Sequence, residues 1–306
     1  MIDYNGIIPY EMSDPMKIVD IRPTLASWPK RIWDWSELPE EFHPSIADWR
    51  SQGMEPGNVT YIPRVHQGGS DEEYATAWWK DEVMIQTSKD DEVETVVLKS
   101  GTVPSLVYEH QLLKCKIILP RKDGGTMEFG FQQVKEEQLR PVINLLLGRP
   151  GERPFPTDHP DHSFDWLLGK TLMYHPTILC YRFDDKINDN IWFKSSLRIL
   201  PFIARRRPRP EYFFAVMDKG LVVIDRNFYR KRLFYFNWSD IDSIKIEPNQ
   251  WRGGPGVNVV GKSGIVAQVP LIKDNIEPMS EFLYRVKKLG IRGVWIEDDI
   301  SFLDKK

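Results

Sequence analysis

The stretch CKIILPRKDGGTMEFGF, residues 115–131, alternates apolar and polar side chains on both sides of a glycine-containing turn. A period of two around such a turn predicts two antiparallel strands joined as a β-hairpin. The stretch PGVNVVGKSGIVAQVPL, residues 255–271, shows the same alternation at a constant shift of 140 residues. In this alignment Ile117 lies over Val257, Phe129 over Val269, and Gly124 over Gly264. One hairpin is therefore predicted to occur twice in the chain.

The duplication extends in both directions from this hairpin. Downstream, an apolar stripe with the spacing i, i+3, i+4, i+7 predicts one amphipathic helix in each copy. The stripe consists of Leu139, Val142, Ile143 and Leu146 in the first copy and of Met279, Phe282, Leu283 and Val286 in the second. Upstream, FHPSIADWR (42–50) recurs as YHPTILCYR (174–182), with seven of nine positions identical or chemically similar. Each copy is thus predicted to contain several short strands followed by one helix.

These matches divide the 306 residues into two repeats and two flanking segments. We place an N-terminal extension at 1–21, the first repeat at 22–149, the second at 150–292 and a C-terminal tail at 293–306. Two domains of this size are typical for a chain of this length. The tail carries Trp, Ile, Phe and Leu side chains, so we expect it to dock on the protein.

The second repeat resembles a known family. Its segment EYFFAVMDKGLVVIDRNFYRKRLFYFNWSDIDSIKIEP (211–248) has a tight turn at DKG and a Trp-Ser-Asp-Ile sequence that leads into an Ile-rich strand. Together with the helix at 276–290, this pattern is similar to bacterial PH-like and GRAM-like domains. The first repeat lacks the Trp-Ser-Asp-Ile sequence and joins the resemblance through the duplication. The resemblance implies a mainly β (α+β) fold of two tandem PH-like small β-barrels, each closed by its C-terminal helix, and a binding role without catalysis.

Charge is distributed unevenly although the net charge is only −3. Residues 1–94 contain 8 Lys/Arg and 19 Asp/Glu, a net charge of −11. Residues 194–232 contain 11 Lys/Arg and 3 Asp/Glu, a net charge of +8. Such asymmetry indicates either an anionic partner for the basic part or contact between the two parts. The small net charge argues against a general nucleic-acid binder, and no specific nucleic-acid partner is predicted.

Compartment and redox chemistry follow from what the sequence contains. Cys115 and Cys180 are the only cysteines, and two isolated thiols are typical of buried cysteines in a reducing compartment. The first residues do not combine a basic region with an apolar one, and the longest apolar run, ILPFIA (199–204), is too short for a membrane span. A cytoplasmic location is expected, with peripheral membrane attachment as the alternative.

The histidines are candidates for catalytic or metal-binding residues. His43 and His175 recur in the repeat, but Asp48 of the first copy is replaced by Cys180 in the second. No acid is repeated with them, so we interpret both as structural residues that bond a backbone carbonyl at the entry to a strand. The motif DHPDH (158–162) contains two His and two Asp side chains, yet flanking prolines and the lack of helical spacing favour a solvated linker over a metal site.

Two further patterns have structural interpretations. Trp28, Trp33, Trp35 and Trp49 resemble a stacking platform, but aromatic residues that recur in a duplicated fold favour core positions. In RGGPGVNVVGKSG (252–264) the spacing of Gly256, Gly261 and Lys262 is that of a phosphate-binding loop. It falls on a predicted strand and hairpin turn without the following helix that such a loop needs. No catalytic residue, metal site or cofactor is predicted.

The basic residues of the second repeat are the candidate binding site. They are Arg205, Arg206, Arg207, Arg209, Arg226, Arg230, Lys231 and Arg232. The first four lie in RRRPR, which aligns at a shift of 138 with QGGSD (67–71) of the first repeat. The last four are predicted to occupy the next inter-strand loop, on the same rim as the first four. Arginine favours bidentate pairing with carboxylate or phosphate, although a charge run on a solvated face is an equally good interpretation.

The sequence therefore predicts a non-catalytic binding or adaptor protein. Its second repeat would engage an acidic protein surface through the basic residues. The first alternative is a peripheral membrane protein that binds anionic lipid headgroups, helped by the mildly amphipathic segment WFKSSLRILPFIARRR (192–207). An enzyme or nuclease is the less favoured alternative, because no clustered or repeated acid–base residues occur.

Overall fold

The computed structural model describes residues 28–64, 72–89, 92–121, 123–160, 162–194, 210–227, 229–248 and 254–297. The fold is mainly β, as predicted, and its strands form three sheets. All neighbouring strands are antiparallel except one pair in the third sheet.

The first sheet is formed by strands of the first repeat in sequence order. Its strands are β1 (Lys30–Arg31), β2 (Val59–Ile62), β3 (Glu73–Trp79), β4 (Glu82–Lys89) and β5 (Glu92–Lys99). Strands β1 and β5 are its edge strands, and none of the side chains of β5 is fully buried.

The second sheet, called the central sheet, takes strands from both repeats. Its strands are β6 (Ser105–Gln111), β7 (Lys114–Pro120), β8 (Thr126–Gln132), β9 (Ile187–Lys194), β10 (Glu211–Met217), β11 (Gly220–Arg226) and β12 (Arg230–Asn237). Their spatial order is β8-β7-β6-β12-β11-β10-β9. Pairing of β6 with β12, from Arg230↔Gln111 to Phe236↔Ser105, joins the two repeats into one sheet.

The third sheet is made by the second repeat and the C-terminal tail. Its strands are β13 (Ile241–Pro248), β14 (Pro255–Gly261), β15 (Val266–Pro270) and β16 (Trp295–Glu297), in the order β15-β14-β13-β16. Strand β16 is parallel to β13. This part of the tail docks on the protein, as expected, and Ile296 is buried there.

The helices are short except for one. They are α1 (His43–Ser51), α2 (Arg140–Leu146), α3 (Tyr174–Ile178) and α4 (Lys273–Lys288). Segments of 3₁₀ helix lie at Trp35–Glu37, Glu40–Phe42, Pro56–Asn58, Gln133–Leu139, His162–Leu167 and Leu179–Arg182.

The hairpins and helical stripes predicted from the sequence are confirmed. Ile117 lies opposite Phe129 in the first hairpin, and Val257 lies opposite Val269 in the second. Gly124 has a φ of 87° at the turn of the first hairpin, a left-handed conformation that favours glycine. All eight residues of the two apolar stripes are buried.

The predicted closed barrels are not found in the part of the chain that the structure describes, where the strands form three open sheets. The reason is visible in the central sheet. Strand β6 does not pair with β5, the strand before it, but with β12 of the other repeat. The largest cluster of buried apolar residues accordingly combines Phe129 and Ile143 of the first repeat with Phe213 and Leu233 of the second. The repeat boundaries stay predictions.

The prediction that His-Pro lies at the entry to a strand is wrong. In both repeats this element lies in the first turn of a helix, α1 in the first and α3 in the second. Proline is tolerated in the first turn of a helix because its missing N–H has no intrahelical partner there. Pro44, the second residue of α1, was therefore a signal for a helix start.

Candidate functional site

The candidate site lies at one end of the central sheet, where charged residues form a row across neighbouring strands. Cross-strand pairs place Lys194 beside Glu211, Glu211 beside Arg226, Arg226 beside Lys231, and Lys231 beside His110. We call these five residues the charged row. On the same face, the next row along the strands is apolar and contains Phe213, Ile224, Leu233 and Tyr108. The charged row therefore marks the point where the core ends.

Cationic side chains outnumber carboxylates in the charged row. Its one carboxylate, Glu211, is 3.5 Å from the Lys194 ammonium and 3.9 Å from the Arg226 guanidinium, and it accepts a hydrogen bond from the Thr171 hydroxyl. No described residue forms an ion pair with Lys231. Burial lowers the pKa of Lys231, and the negative charges around it partly offset this lowering. The row thus presents more positive charge than its single carboxylate balances.

The other predicted basic residues lie on strands instead of in a loop. Arg226 ends β11 and Arg230 begins β12, so only residues 227–229 connect the two strands. Arg232 points to the opposite face from Lys231, and its guanidinium donates two hydrogen bonds to Asp225. Arg232 is therefore already neutralised. Arg226, Arg230, Lys231 and Arg232 are all half-buried, so they do not form the freely solvated face that the sequence also allowed.

Two hairpin turns meet beside the charged row. The backbone N–H of Leu112, in the turn between β6 and β7, donates to the carbonyl of Tyr229, in the turn between β11 and β12, at 3.2 Å. Leu112, Leu113 and Tyr229 are exposed, with 65%, 56% and 59% of their surface accessible. We call these two turns the hairpin tips. They add an apolar, outward-facing element next to the cationic one.

A buried polar cluster lies behind His110 and Lys231. The Glu136 carboxylate accepts two hydrogen bonds from the Arg182 guanidinium, at 2.6 and 3.0 Å, and one from the Tyr108 hydroxyl at 2.6 Å. Glu136 belongs to the first repeat and Arg182 to the second, so the pair links them. The Arg182 guanidinium also lies 3.9 Å from the centre of the Phe155 ring, a stacked cation–π contact.

The pKa shifts in this cluster have clear causes. Burial alone would raise the pKa of Glu136, but the Arg182 charge and the hydrogen bonds from Arg182 and Tyr108 together outweigh it, and the pKa is lowered. Burial lowers the pKa of His110, and the neighbouring Lys231 charge acts in the same direction. Burial raises the pKa of the Cys115 thiol to about 12, which keeps this sulfur protonated and a weak nucleophile near neutral pH. Glu136 and Arg182 are thus charged partners of each other.

The histidines singled out in the sequence have identifiable partners. The ring of His43 is 3.0 Å from the Leu38 carbonyl and 3.2 Å from Arg50, a carbonyl contact as predicted but at a helix start. The prediction of a solvated linker at 158–162 is wrong for His159, which is buried. Its ring contacts the Thr177 hydroxyl at 3.1 Å and packs against Phe164.

The remaining patterns are placed as follows. Trp49 is buried, whereas Trp33 is exposed and has the Arg31 guanidinium 5.9 Å from its ring centre. Gly256 and Gly261 lie on strand β14 and Lys262 in the following turn, as predicted. Within the described ranges, no three His, Cys, Asp or Glu side chains are grouped to hold a metal ion. Arg205, Arg206, Arg207 and Arg209 lie outside the described residues.

A cleft of about 650 Å³ lies where the repeats meet. It is lined by residues 101–106, 146–148, 218–219 and 237–239, with Phe183 and Tyr235. The Lys219 ammonium donates to the Gly148 carbonyl at 3.2 Å, and the Asn237 amide donates to the Val103 carbonyl at 2.8 Å. These bonds run from one repeat to the other, so the polar lining of the cleft holds the two repeats together.

Sequence reasoning found Arg226, Arg230 and Lys231 but missed Lys194, Glu211, His110 and the hairpin tips. These residues become neighbours only through the pairing of β6 with β12, for which the chain carries no local signal.

No protein-family model matches the chain, and no match to it was found among curated proteins. In the described part of the chain, no helix has both the length and the apolar character needed to cross a bilayer.

Proposed function

We propose that this chain is a non-catalytic binding protein that engages an acidic protein surface through the cationic end of its central sheet. The observation that carries the proposal is the excess of positive charge there. Arg230 and Lys231 have no ion pair with any described residue, and one carboxylate is shared by Lys194 and Arg226. A partner's carboxylates would supply the missing counter-charges.

The sequence next to the charged row is also basic. Arg209 precedes Glu211 of the charged row by two residues, and three more arginines precede Arg209 within five residues. Half-buried cations are also less mobile than those on a solvated face, and ordering them on binding costs less entropy. This supports a site that is largely formed before the partner arrives.

The fold proposal that accompanies this function is a pair of PH-like repeats. Its support is the order of elements. Strand β2 in the first repeat and β9 in the second precede a three-stranded meander, which is followed by three more strands and a helix, and the first repeat has the short strand β1 in addition. Such folds present loops and sheet ends for binding, which fits a cytoplasmic adaptor. That function is argued from the charged row and not from the likeness.

A second candidate function is peripheral attachment to an anionic membrane. The exposed leucines of the hairpin tips favour it, because apolar residues flanked by cations suit the boundary between headgroups and acyl chains. Each Lys or Arg near an anionic bilayer contributes about 1 kcal/mol. The two candidates differ in what the leucines contact.

The proposal is tested with a labelled oligo-glutamate peptide as the probe for an acidic protein surface. We expect wild-type protein to bind it, and Lys231→Gln to weaken binding about fivefold or more, as loss of about 1 kcal/mol implies. Lys116→Gln is the matched control, since that ammonium already pairs with Glu128 at 2.6 Å in the same sheet. Binding that Lys231→Gln and Lys116→Gln reduce equally would contradict the proposed site.

A parallel experiment separates the two candidates. Flotation with phosphatidylserine vesicles, compared with phosphatidylcholine vesicles, measures membrane binding. Oligo-glutamate binding without flotation supports the adaptor function. Flotation that is lost in Leu113→Ser supports the membrane function, and failure to bind either probe at low salt overturns both.

A further inference from the structure

Strand β5 is an edge strand with an unusual amount of exposed apolar surface. It pairs with β4 along its whole length, from Lys89↔Glu92 to Glu82↔Lys99. Within the described residues, no strand pairs with its other edge. Val97 is 48% exposed, and Val93, Val96 and Leu98 are only half-buried. An unpaired edge strand with exposed apolar side chains is a template for pairing with another chain.

In the second repeat, the equivalent edge is paired with another strand. Strand β12 stands in the second repeat where β5 stands in the first, at a shift of 138 residues. The corresponding edge of β12 pairs with β6, the first of the last three strands of the first repeat. By this equivalence, the outer edge of β5 is shaped to accept the strand that stands at this position in another repeat.

The equivalent strand of the second repeat is β13. It is the first of that repeat's last three strands and pairs with β14 on one side. On the side that β6 uses for β12, the described residues that pair with β13 are the three of β16. Two of these, Trp295 and Glu297, are exposed, and Ile296 is the one buried anchor. Within the described residues, the edge of β13 is thus covered by the short strand β16, while the outer edge of β5 is open.

We propose that β5 is the docking edge for β13 of a second copy of this chain, and that strand β16 is the cap that keeps β13 closed. Pairing of β5 with β13 repeats the contact between β12 and β6, but between two chains. The contact is head to tail, so a chain with both edges open would form rings or filaments. A short cap on an edge strand is a recognised way to prevent such assembly.

The internal contact also predicts the register. Tyr108 and Ile246 are equivalent, because their hairpin partners Ile117 and Val257 are equivalent. Transfer of the β12–β6 register then places Val97 opposite Ile244. It places Glu94 opposite Glu247, and like charges at directly opposed positions weaken the pairing of strands.

The experiment uses full-length protein and light scattering after size-exclusion chromatography. Of the two proposed docking edges, wild type exposes β5 and not β13, so it should be monomeric. The Ile296→Asp variant releases the cap, exposes both edges and should give a mass that rises with concentration. Addition of Val97→Lys closes β5 and should return Ile296→Asp to a monomer. Val266→Lys is the matched control, an exposed valine on edge strand β15, and should leave the assembly unchanged.

Mixing provides the decisive measurement. Of the two docking edges, the Ile296→Asp, Val97→Lys double variant exposes β13 and wild type exposes β5. An equimolar mixture of the two proteins should therefore form a one-to-one dimer that neither protein forms alone. In the assembling background, Glu94→Lys should tighten association several-fold by removing the opposed charges.

The proposal is overturned if Ile296→Asp with native circular dichroism stays monomeric, if Val97→Lys and Val266→Lys act alike, or if the mixture shows no dimer. Should Ile296→Asp fail to fold, Trp295→Pro replaces it. That position is exposed, and proline removes a ladder donor without disturbing the core. Monomeric behaviour of folded Trp295→Pro in the same series overturns the proposal equally.

Discussion

Leu112 has a backbone conformation that leucine rarely adopts. Its φ is 55°, in the left-handed region where the Cβ atom crowds the following carbonyl. A residue there costs about 1–2 kcal/mol relative to the usual conformations, and the exposed side chain regains little of this by burial. A local cost without a folding benefit is typical of a residue kept for contact with something outside the chain.

The Leu112→Gly variant separates the two effects. We expect the free energy of unfolding to rise by about 0.5–1 kcal/mol, because glycine adopts this φ without strain and little buried area is lost. Urea denaturation measures this change. Partner binding, by oligo-glutamate or by vesicles, should become weaker. Lys80→Gly is the control, since Lys80 has a φ of 57° in the hairpin between β3 and β4; it should stabilise the protein and leave the affinity within twofold. Destabilisation by Leu112→Gly would show that the leucine serves the fold.

The Glu136–Arg182 pair makes stability depend on pH. Because the pKa of Glu136 is lower in the folded protein, its contribution is complete above the ordinary glutamate pKa of about 4.3. It is lost as the pH falls through the lower folded value. Glu136→Gln leaves Arg182 buried without its counter-charge and should cost about 3–5 kcal/mol near pH 7.

This pH dependence is measured by urea denaturation of wild type and Glu136→Gln over a pH series. The difference between them should be largest above about pH 5 and shrink below about pH 4. Glu128→Gln is the control, because its exposed pair with Lys116 contributes only about 0–1 kcal/mol. A difference that stays constant from pH 7 to the acid limit would mean that the carboxylate charge is not the cause.

At the scale of single elements, the features set by nearest neighbours along the chain were predictable. The hairpin of β7 and β8 follows from period-two alternation, and α4 follows from its stripe, because one face of each must be buried. The sequence did not predict helices α1 and α3. Helix α3 spans only Tyr174–Ile178 and is too short for a periodic pattern. Their stability comes from packing, as with His159 against Tyr174.

The tight turn DKG between β10 and β11 depends on one such local feature. A Cβ atom on Gly220 would lie 1.8 Å from the Phe236 carbonyl oxygen, which belongs to the neighbouring strand β12. Gly220→Ala must therefore move the backbone and should cost about 3 kcal/mol or more. Gly254→Ala is the control, because a Cβ there meets nothing within 4 Å and the change should stay within about 0.5 kcal/mol. Equal melting temperatures for the two variants would refute the close approach.

At the scale of the whole molecule, the decisive contact is the one that the sequence could not predict. Residues in β6 and β12 are more than a hundred positions apart, and both strands have patterns that fit either an edge or a centre of a sheet. Alternation specifies which face of a strand is buried but not which strand lies beside it. The charged row depends on this pairing, so its bases were recognised from the sequence while their arrangement was not.

A sheet shared by both repeats should make them unfold together. Phe129 of the first repeat is fully buried in the cluster that also contains Phe213 and Leu233. Phe129→Ala should lower the free energy of opening by about 3–5 kcal/mol in β10 and β11 as well as in β7 and β8. Hydrogen exchange followed by mass spectrometry measures each strand separately. Phe282→Ala, in α4 of the second repeat, provides the reciprocal experiment and should weaken protection in β7 and β8. Loss of protection confined to the repeat that carries the substitution would mean that the contact between β6 and β12 joins two independent folding units.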